Sequence, residues 1–187
     1  MNSFTVPPRE ATEEIACGTH VPILTALAKE FKPRRVLDFG SGLFSTPLFL
    51  DRTVFTELEY LQSIENDPAW HMAVGDRVGG DLRFDYRLVD GEIAPVTIDI
   101  DVPSFDLIFL DDSRSARERF ATIRAVAPRV SRSAVAVVHD FEEPDYQLAL
   151  MAFDHQFFVD RWNPSCGVCW NGDVDYTPVL QAMRDAL

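Results

Sequence analysis

Five acids and one histidine stand where apolar runs of this chain end, and their spacing is the first clue to chemistry. "FDLIFLDD" closes on Asp111 and Asp112, "AVAVVHDF" on His139 and Asp140, "YLQSIE" on Glu65, and "YRLVD" on Asp90. Asp38 stands two residues before the turn Gly40-Ser41-Gly42. Carboxylates clustered at one edge repel each other unless a cation or a donor lies between them. Asp111 and Asp140 therefore suit a Mg²⁺ or Mn²⁺ ion, which would acidify and orient a hydroxyl. His139 offers a metal-free route, taking a proton from a hydroxyl or amine, and it could equally be a structural strand-end histidine. Asp112 and Asp140 are the other groups able to accept that proton.

The elements that must position these groups alternate from residue 35 onward. Strands are predicted at Arg35 to Phe39, Tyr60 to Glu65, Tyr86 to Val89, Asp106 to Leu110, Ala134 to Val138, Gln156 to Val159 and Gly167 to Trp170. Helices are predicted at Thr46 to Phe55, Pro68 to Val78, Ser115 to Val130, Pro144 to Phe153 and Thr177 to Ala186. Alternation of this kind gives a doubly wound, mostly parallel α/β sheet of Rossmann-like type. Only the last two strands lack a helix between them, so they should form an antiparallel hairpin at a sheet edge. A helical stretch from Glu10 to Phe31, divided at Pro22, precedes the sheet. It makes residues 1–33 an N-terminal extension on the acceptor side and 34–187 the cofactor-binding domain.

"VLDFGSGLFSTPLFL" reads as strand, tight turn and helix start, the arrangement that holds a nucleotide at the carboxyl edge of a parallel sheet. Gly40, Ser41 and Gly42 let a ligand approach the backbone, and the helix opening near Thr46 presents N–H groups. A dinucleotide fingerprint would place a third glycine at position 45, where the chain has Ser45. An Asp38 carboxylate at the strand end would repel a pyrophosphate and attract an ammonium group. A nucleoside joined to an amino acid fits these features, and S-adenosylmethionine is such a ligand. Glu65 follows Gly42 by 23 residues, about the interval for an acid that binds ribose hydroxyls. Its other reading is an acid at the start of the helix from Pro68, a task already suited to Asn66 and Asp67. Asp90 either reaches an adenine amino group or belongs to an Asp-Gly turn.

Composition narrows the partners. The 187 residues carry 30 acids against 17 bases, a net charge of -13, which opposes nucleic acid as a substrate. No apolar run reaches the roughly 20 residues of a membrane span, and the acidic opening is unlike a signal peptide, so a cytoplasmic protein is expected. Cys166 and Cys169 form "CGVC" but open no helix and have no second ligand pair, and they read as buried strand cysteines. Cys17 has no activating neighbour in the sequence.

Together "VLDFGSGLFST", "SIENDPAW", "FDLIFLDD" and "AVAVVHDF" resemble the class I S-adenosylmethionine-dependent methyltransferases. The nearest type is that of the small bacterial O-methyltransferases of macrocin and cephalosporin pathways. The resemblance implies a seven-stranded sheet whose last strand is inserted antiparallel, with S-adenosylmethionine as cofactor. It gives Asp38, Gly40 and Gly42 to the methionine end, Glu65 to the ribose and Asp90 to the adenine. Mg²⁺ would be held by Asp111 and Asp140, although Phe141 follows Asp140 where some relatives have Asn. The expected acceptor is a small molecule, methylated on oxygen, and an apolar face on the N-terminal helices would favour a homodimer. A nicotinamide-dependent oxidoreductase and a cofactor-binding domain without catalysis are the two other readings.

Overall fold

The computed structural model describes residues 18–112 and 115–187. The expected helical residues from Glu10 to Cys17, and Ser113 and Arg114, lie outside the described residues. Seven strands form one sheet: β1 (Arg35–Phe39), β2 (Tyr60–Glu65), β3 (Phe84–Leu88), β4 (Leu107–Leu110), β5 (Val135–His139), β6 (His155–Val159) and β7 (Cys166–Trp170). Their order is β3-β2-β1-β4-β5-β7-β6. All pairings are parallel except those of β7, which runs antiparallel to both β5 and β6. The inserted antiparallel strand and the edge hairpin are thus as the sequence predicts.

Alternation sorts side chains to two cores. Val36, Leu61, Phe109, Val135, Val137, Cys166 and Val168 face one side, while Leu37, Phe39, Ile64, Ile108, Leu110, Ala136, Val138 and Cys169 face the other. Cys166 and Cys169 therefore lie on opposite faces of β7, both buried, and desolvation raises both thiols above their ordinary values. This is the structural role expected of them.

Among the described residues six helices cover the sheet: α1 (Val21–Phe31), α2 (Ser45–Leu50), α3 (Pro68–Val78), α4 (Ala116–Val126), α5 (Pro144–Leu150) and α6 (Thr177–Ala186). α1 buries Ile23, Leu24, Leu27 and Ala28 in the same core as Phe49 of α2 and Leu180 of α6. α4 and α5 close the opposite face through Ile123, Val126, Tyr146, Ala149 and Leu150. Pro22 opens α1 in its first turn, where the missing N–H has no helical partner to lose.

Helix ends depart from the sequence reading for local reasons. α2 stops at Leu50 because Asp51 Oδ1 accepts from Thr53 N at 2.8 Å and Thr53 Oγ1 at 2.7 Å, an alternative to helical bonding. α4 yields at Ala127 to a 3₁₀ turn carrying Pro128. The β3–β4 crossover, where no helix is predicted, holds 3₁₀ turns at Ala94–Asp99 and Val102–Ser104. Arg129 ties them down, donating to Thr97 O and Ile100 O at 2.5 Å each.

Candidate active site

The carboxyl edge of the sheet, around the β1/β4 switch point, gathers most of the expected residues. Gly40 leaves β1 with φ +84°, and a Cβ there would lie 2.4 Å from Asp111 O and 2.6 Å from Asp112 N. Its missing side chain therefore admits the end of β4 as well as leaving backbone bare. Thr46 Oγ1 accepts from Gly42 N at 3.1 Å and donates to Asp38 Oδ2 at 3.0 Å, closing the turn onto α2.

Asp38 has a different environment from the one the sequence suggests. The residue is fully buried, on a rung with Ser63 of β2, whose hydroxyl donates to Oδ2 at 2.8 Å. Burial pushes its carboxyl up to about 8, the bonds from Ser63 and Thr46 only partly offsetting that cost. Burial thus favours its protonated form, and the bonds from Ser63 and Thr46 pin the glycine turn. Its Oδ1 is buried with no partner among the described residues.

Glu65 closes β2 with an almost buried carboxylate. Oε1 accepts from the N–H groups of Asn66 and Asp67, both at 2.8 Å, and Oε2 accepts from Ser41 Oγ at 3.0 Å. Ser41 Oγ is in turn 2.6 Å from the Tyr86 hydroxyl. The indole N–H of Trp70 donates to Ser41 O, which puts an aromatic ring against the glycine turn. Asp67, rather than Glu65, caps α3, its Oδ1 accepting from Ala69 N and Trp70 N. Asn66 Nδ2 donates to Gly91 O at 2.9 Å, linking the β2 and β3 ends, while Asp90 is exposed beside it.

Strand parity separates the two acids after β4. Asp111 turns toward His139 and the Arg119 guanidinium, whereas the Asp112 carboxylate turns into the α4 packing and accepts from Thr122 Oγ1 at 2.6 Å. Asp112 is buried, and desolvation pushes its carboxyl up to about 6. It thus lies apart from His139 and Asp140, with which the sequence groups it as a proton acceptor. Its place is the β4–α4 interface.

His139 is the centre of the remaining cluster. Its Nδ1 lies 3.3 Å from Asp111 Oδ2 and 3.6 Å from Asp140 Oδ1, and its Nε2 is 2.9 Å from Thr19 Oγ1. Burial works against the imidazolium, but the charge of Asp111 and its hydrogen bond outweigh that and raise the imidazole above its ordinary value. Burial likewise works to raise Asp111, yet His139 and Arg119 hold its carboxyl well below the usual range. His20 packs edge-on to His139 with ring centroids 4.9 Å apart.

Arg119 stands where the sequence reading puts Mg²⁺. Its guanidinium lies 3.0 Å from Asp111 Oδ1 and 2.8 Å from Asp140 Oδ2, and it also donates to Asp112 O at 2.6 Å and His139 O at 3.3 Å. A buried cation already bridges the two carboxylates, so this pair does not fit a magnesium ion between them. Asp140 takes the left-handed conformation, φ +57°. Arg119 was legible in principle: Arg119, Thr122, Ile123 and Val126 are the buried face of α4, and an arginine falls where the helical period calls for an apolar residue. Thr19 carries no comparable signal.

A separate hollow of about 480 Å³ is lined by Ala94, Pro95, Thr97, Ile98, Ala125 and Arg129. It lies by the C-terminal end of α4, at the opposite edge from these acids, and contains none of them.

Among solved structures, human methyltransferase-like protein 13 in complex with S-adenosylhomocysteine superposes with TM-score 0.66 at 18% identity, covering 91% of this chain and 90% of that one. The O-methyltransferase TomG of Streptomyces achromogenes, involved in tomaymycin synthesis and solved with S-adenosylmethionine, gives 0.59 at 17%, covering 90% and 93%. An O-methyltransferase from Bacillus cereus with S-adenosylhomocysteine gives 0.58 at 11%, covering 87% and 83%. The fold is therefore the one these methyltransferases share. No protein-family model and no curated protein matches the sequence.

Proposed function

We propose that the protein is an S-adenosylmethionine-dependent methyltransferase acting on a hydroxyl of a small-molecule acceptor. The observation that carries this reading is the Thr19–His139–Asp111 relay, in which an imidazole nitrogen at the sheet's carboxyl edge already holds a hydroxyl at 2.9 Å. Bound S-adenosylmethionine would supply a methyl carbon made electrophilic by its sulfonium.

Glu65 suits the ribose. Its carboxylate already binds one hydroxyl, that of Ser41, and an ionised carboxylate has further lone pairs to offer. Gly40, Ser41, Gly42 and Asn66 form the rest of that wall, and Asp90 lies by the adenine end. An acceptor hydroxyl taking the place of Thr19 would give its proton to His139 Nε2 as its oxygen bonds to the methyl carbon. S-adenosylmethionine held there would give up its methyl group with the C–S bonding pair kept on sulfur, so the products would be a methyl ether and S-adenosylhomocysteine. Asp111 holds Nδ1 and so positions the ring; Arg119 and Asp140 hold Asp111 and the β5 end in place. Efficiency comes chiefly from alignment and proton removal.

The chain's net charge of -13 supports a small acceptor over nucleic acid. No helix among the described residues is long and apolar enough to cross a membrane.

The test is calorimetric titration with S-adenosylhomocysteine, with NADH fluorescence as the rival arm. We expect micromolar binding of the former and a loss of about tenfold or more in Glu65→Ala. Binding of NADH alone, or of neither ligand, overturns the reading.

A further inference from the structure

His20 is an anomaly that methyl transfer does not use. It is 2% exposed, and neither ring nitrogen has a hydrogen-bond partner among the described residues. Buried polar groups without partners are rare in native proteins and call for an explanation, an ion or a water being the usual ones. Its ring lies against two groups with metal-binding atoms. One donor atom from each of His20, Asp111 and His139 falls within 4.8 Å of the others.

We infer that His20, Asp111 and His139 form a binding site for a divalent transition-metal ion of the zinc, cobalt and nickel class. Two imidazoles and one carboxylate are the donor set such ions take, whereas Mg²⁺ prefers oxygen throughout. The division of Asp111 agrees with this. Oδ1 is engaged by Arg119 at 3.0 Å, while Oδ2 points to His139 and away from the guanidinium. Asp111 and Asp140 leave one negative charge beyond that of Arg119, which lowers the cost of bringing a dication to the site. Bonds of about 2.0–2.2 Å would draw the three donors together by roughly 1 Å. His20, with no hydrogen bond of its own to break among the described residues, is the ligand best able to make that movement. The Thr19 hydroxyl, held at His139, stands beside the site.

This site goes beyond the methyltransferase reading and shares two residues with it. An ion bound there takes the imidazole lone pair that would otherwise accept a proton, so metal loading should suppress a transfer that depends on His139 as base.

The test is titration of the purified chain with Co²⁺ and, separately, Mg²⁺, followed by calorimetry, by visible absorption and by broadening of histidine ring resonances in NMR. We expect one Co²⁺ per chain, broadening of His20 and His139 before His71 and His155, and no competition from Mg²⁺ at equal concentration. His20→Ala should weaken Co²⁺ binding more than about tenfold, as loss of even supporting groups does. The wild-type resonances decide the matter should that variant fail to fold. No binding, binding that spares His20 and His139, or equal affinity for Mg²⁺ overturns the site. S-adenosylhomocysteine binding, read in the same protein without metal, tests the methyltransferase assignment separately.

Discussion

Arg119 Nη1 lies 2.8 Å from Asp140 Oδ2, and the same guanidinium reaches Asp111 Oδ1 at 3.0 Å, so one helix side chain binds the ends of two strands. Its side chain is only 5% exposed, and removing it would leave the His139 imidazole as the one remaining partner between the two carboxylates among the described residues. Arg119→Met should cost about 3–5 kcal/mol in urea unfolding, the usual result of breaking a buried pair from one side. Arg119→Lys keeps the charge but cannot span both acids and two carbonyls, and should lose less. A Met variant as stable as the wild type would show that the bridge is not what holds β4 to β5 at this edge.

Asp38 gives a prediction in pH. Its carboxyl is near 8 when folded and near 3.8 when unfolded, so the folded protein binds the extra proton between those values. Its contribution is fully present below about pH 4 and is lost as pH rises through 8. Asp38→Asn cannot ionise, so the stability of wild type relative to this variant should fall between pH 5 and pH 9. Urea midpoints of the two proteins at both values measure it. Parallel pH curves would mean that Asp38 ionises normally in its enclosure.

Gly40 tests the backbone of the turn. With φ +84° and Asp111 O only 2.4 Å from an added Cβ, Gly40→Ala meets strain and overlap together. Strain alone is about 1–3 kcal/mol, and the overlap with backbone adds to it. Gly79 is the control, with φ +67° and nothing within 4 Å of an added Cβ. Gly79→Ala meets the strain without the overlap and should cost about 1–3 kcal/mol, less than Gly40→Ala. Equal losses in thermal unfolding would remove the close β1–β4 approach as an explanation for Gly40.

Which features were legible follows from the kind of interaction that fixes each. β1 and β2 match the predicted ranges because period and burial alone define them, and α3 matches because Asp67 and Pro68 mark its start. α2 was overdrawn because the Asp51–Thr53 turn competes with helix through a side chain, which apolar spacing does not register. The acids at the strand ends were found, but their roles depend on partners from distant elements. Asp38 meets Ser63 across a strand rung, Asp112 meets Thr122, and Asp111 meets Arg119, and such pairings exist only once the chain is folded. Sequence spacing could place a cation between Asp111 and Asp140; it could not say that the cation is an arginine from α4.

His139 gives the prediction that bears most directly on catalysis. Asp111 and Asp140 raise its imidazole above the ordinary value of 6.5, although burial opposes them, so below that range the ring is protonated and cannot take a proton. Methyl transfer to a hydroxyl acceptor should therefore rise with pH and level off somewhere above 6.5. His139→Asn should lower kcat by roughly 10²–10⁴-fold, the usual contribution of a positioned base. It should also flatten that limb while leaving S-adenosylhomocysteine binding within a few-fold. Asp111→Asn should shift the limb to lower pH, because its charge supports the imidazolium, and should slow transfer through loss of ring orientation. Single-turnover rates across pH 5.5–9 for the three proteins measure all of this. A His139→Asn enzyme with the wild-type limb would transfer the base to another group, and an Asp111→Asn limb that does not move would separate the carboxylate from the proton's path.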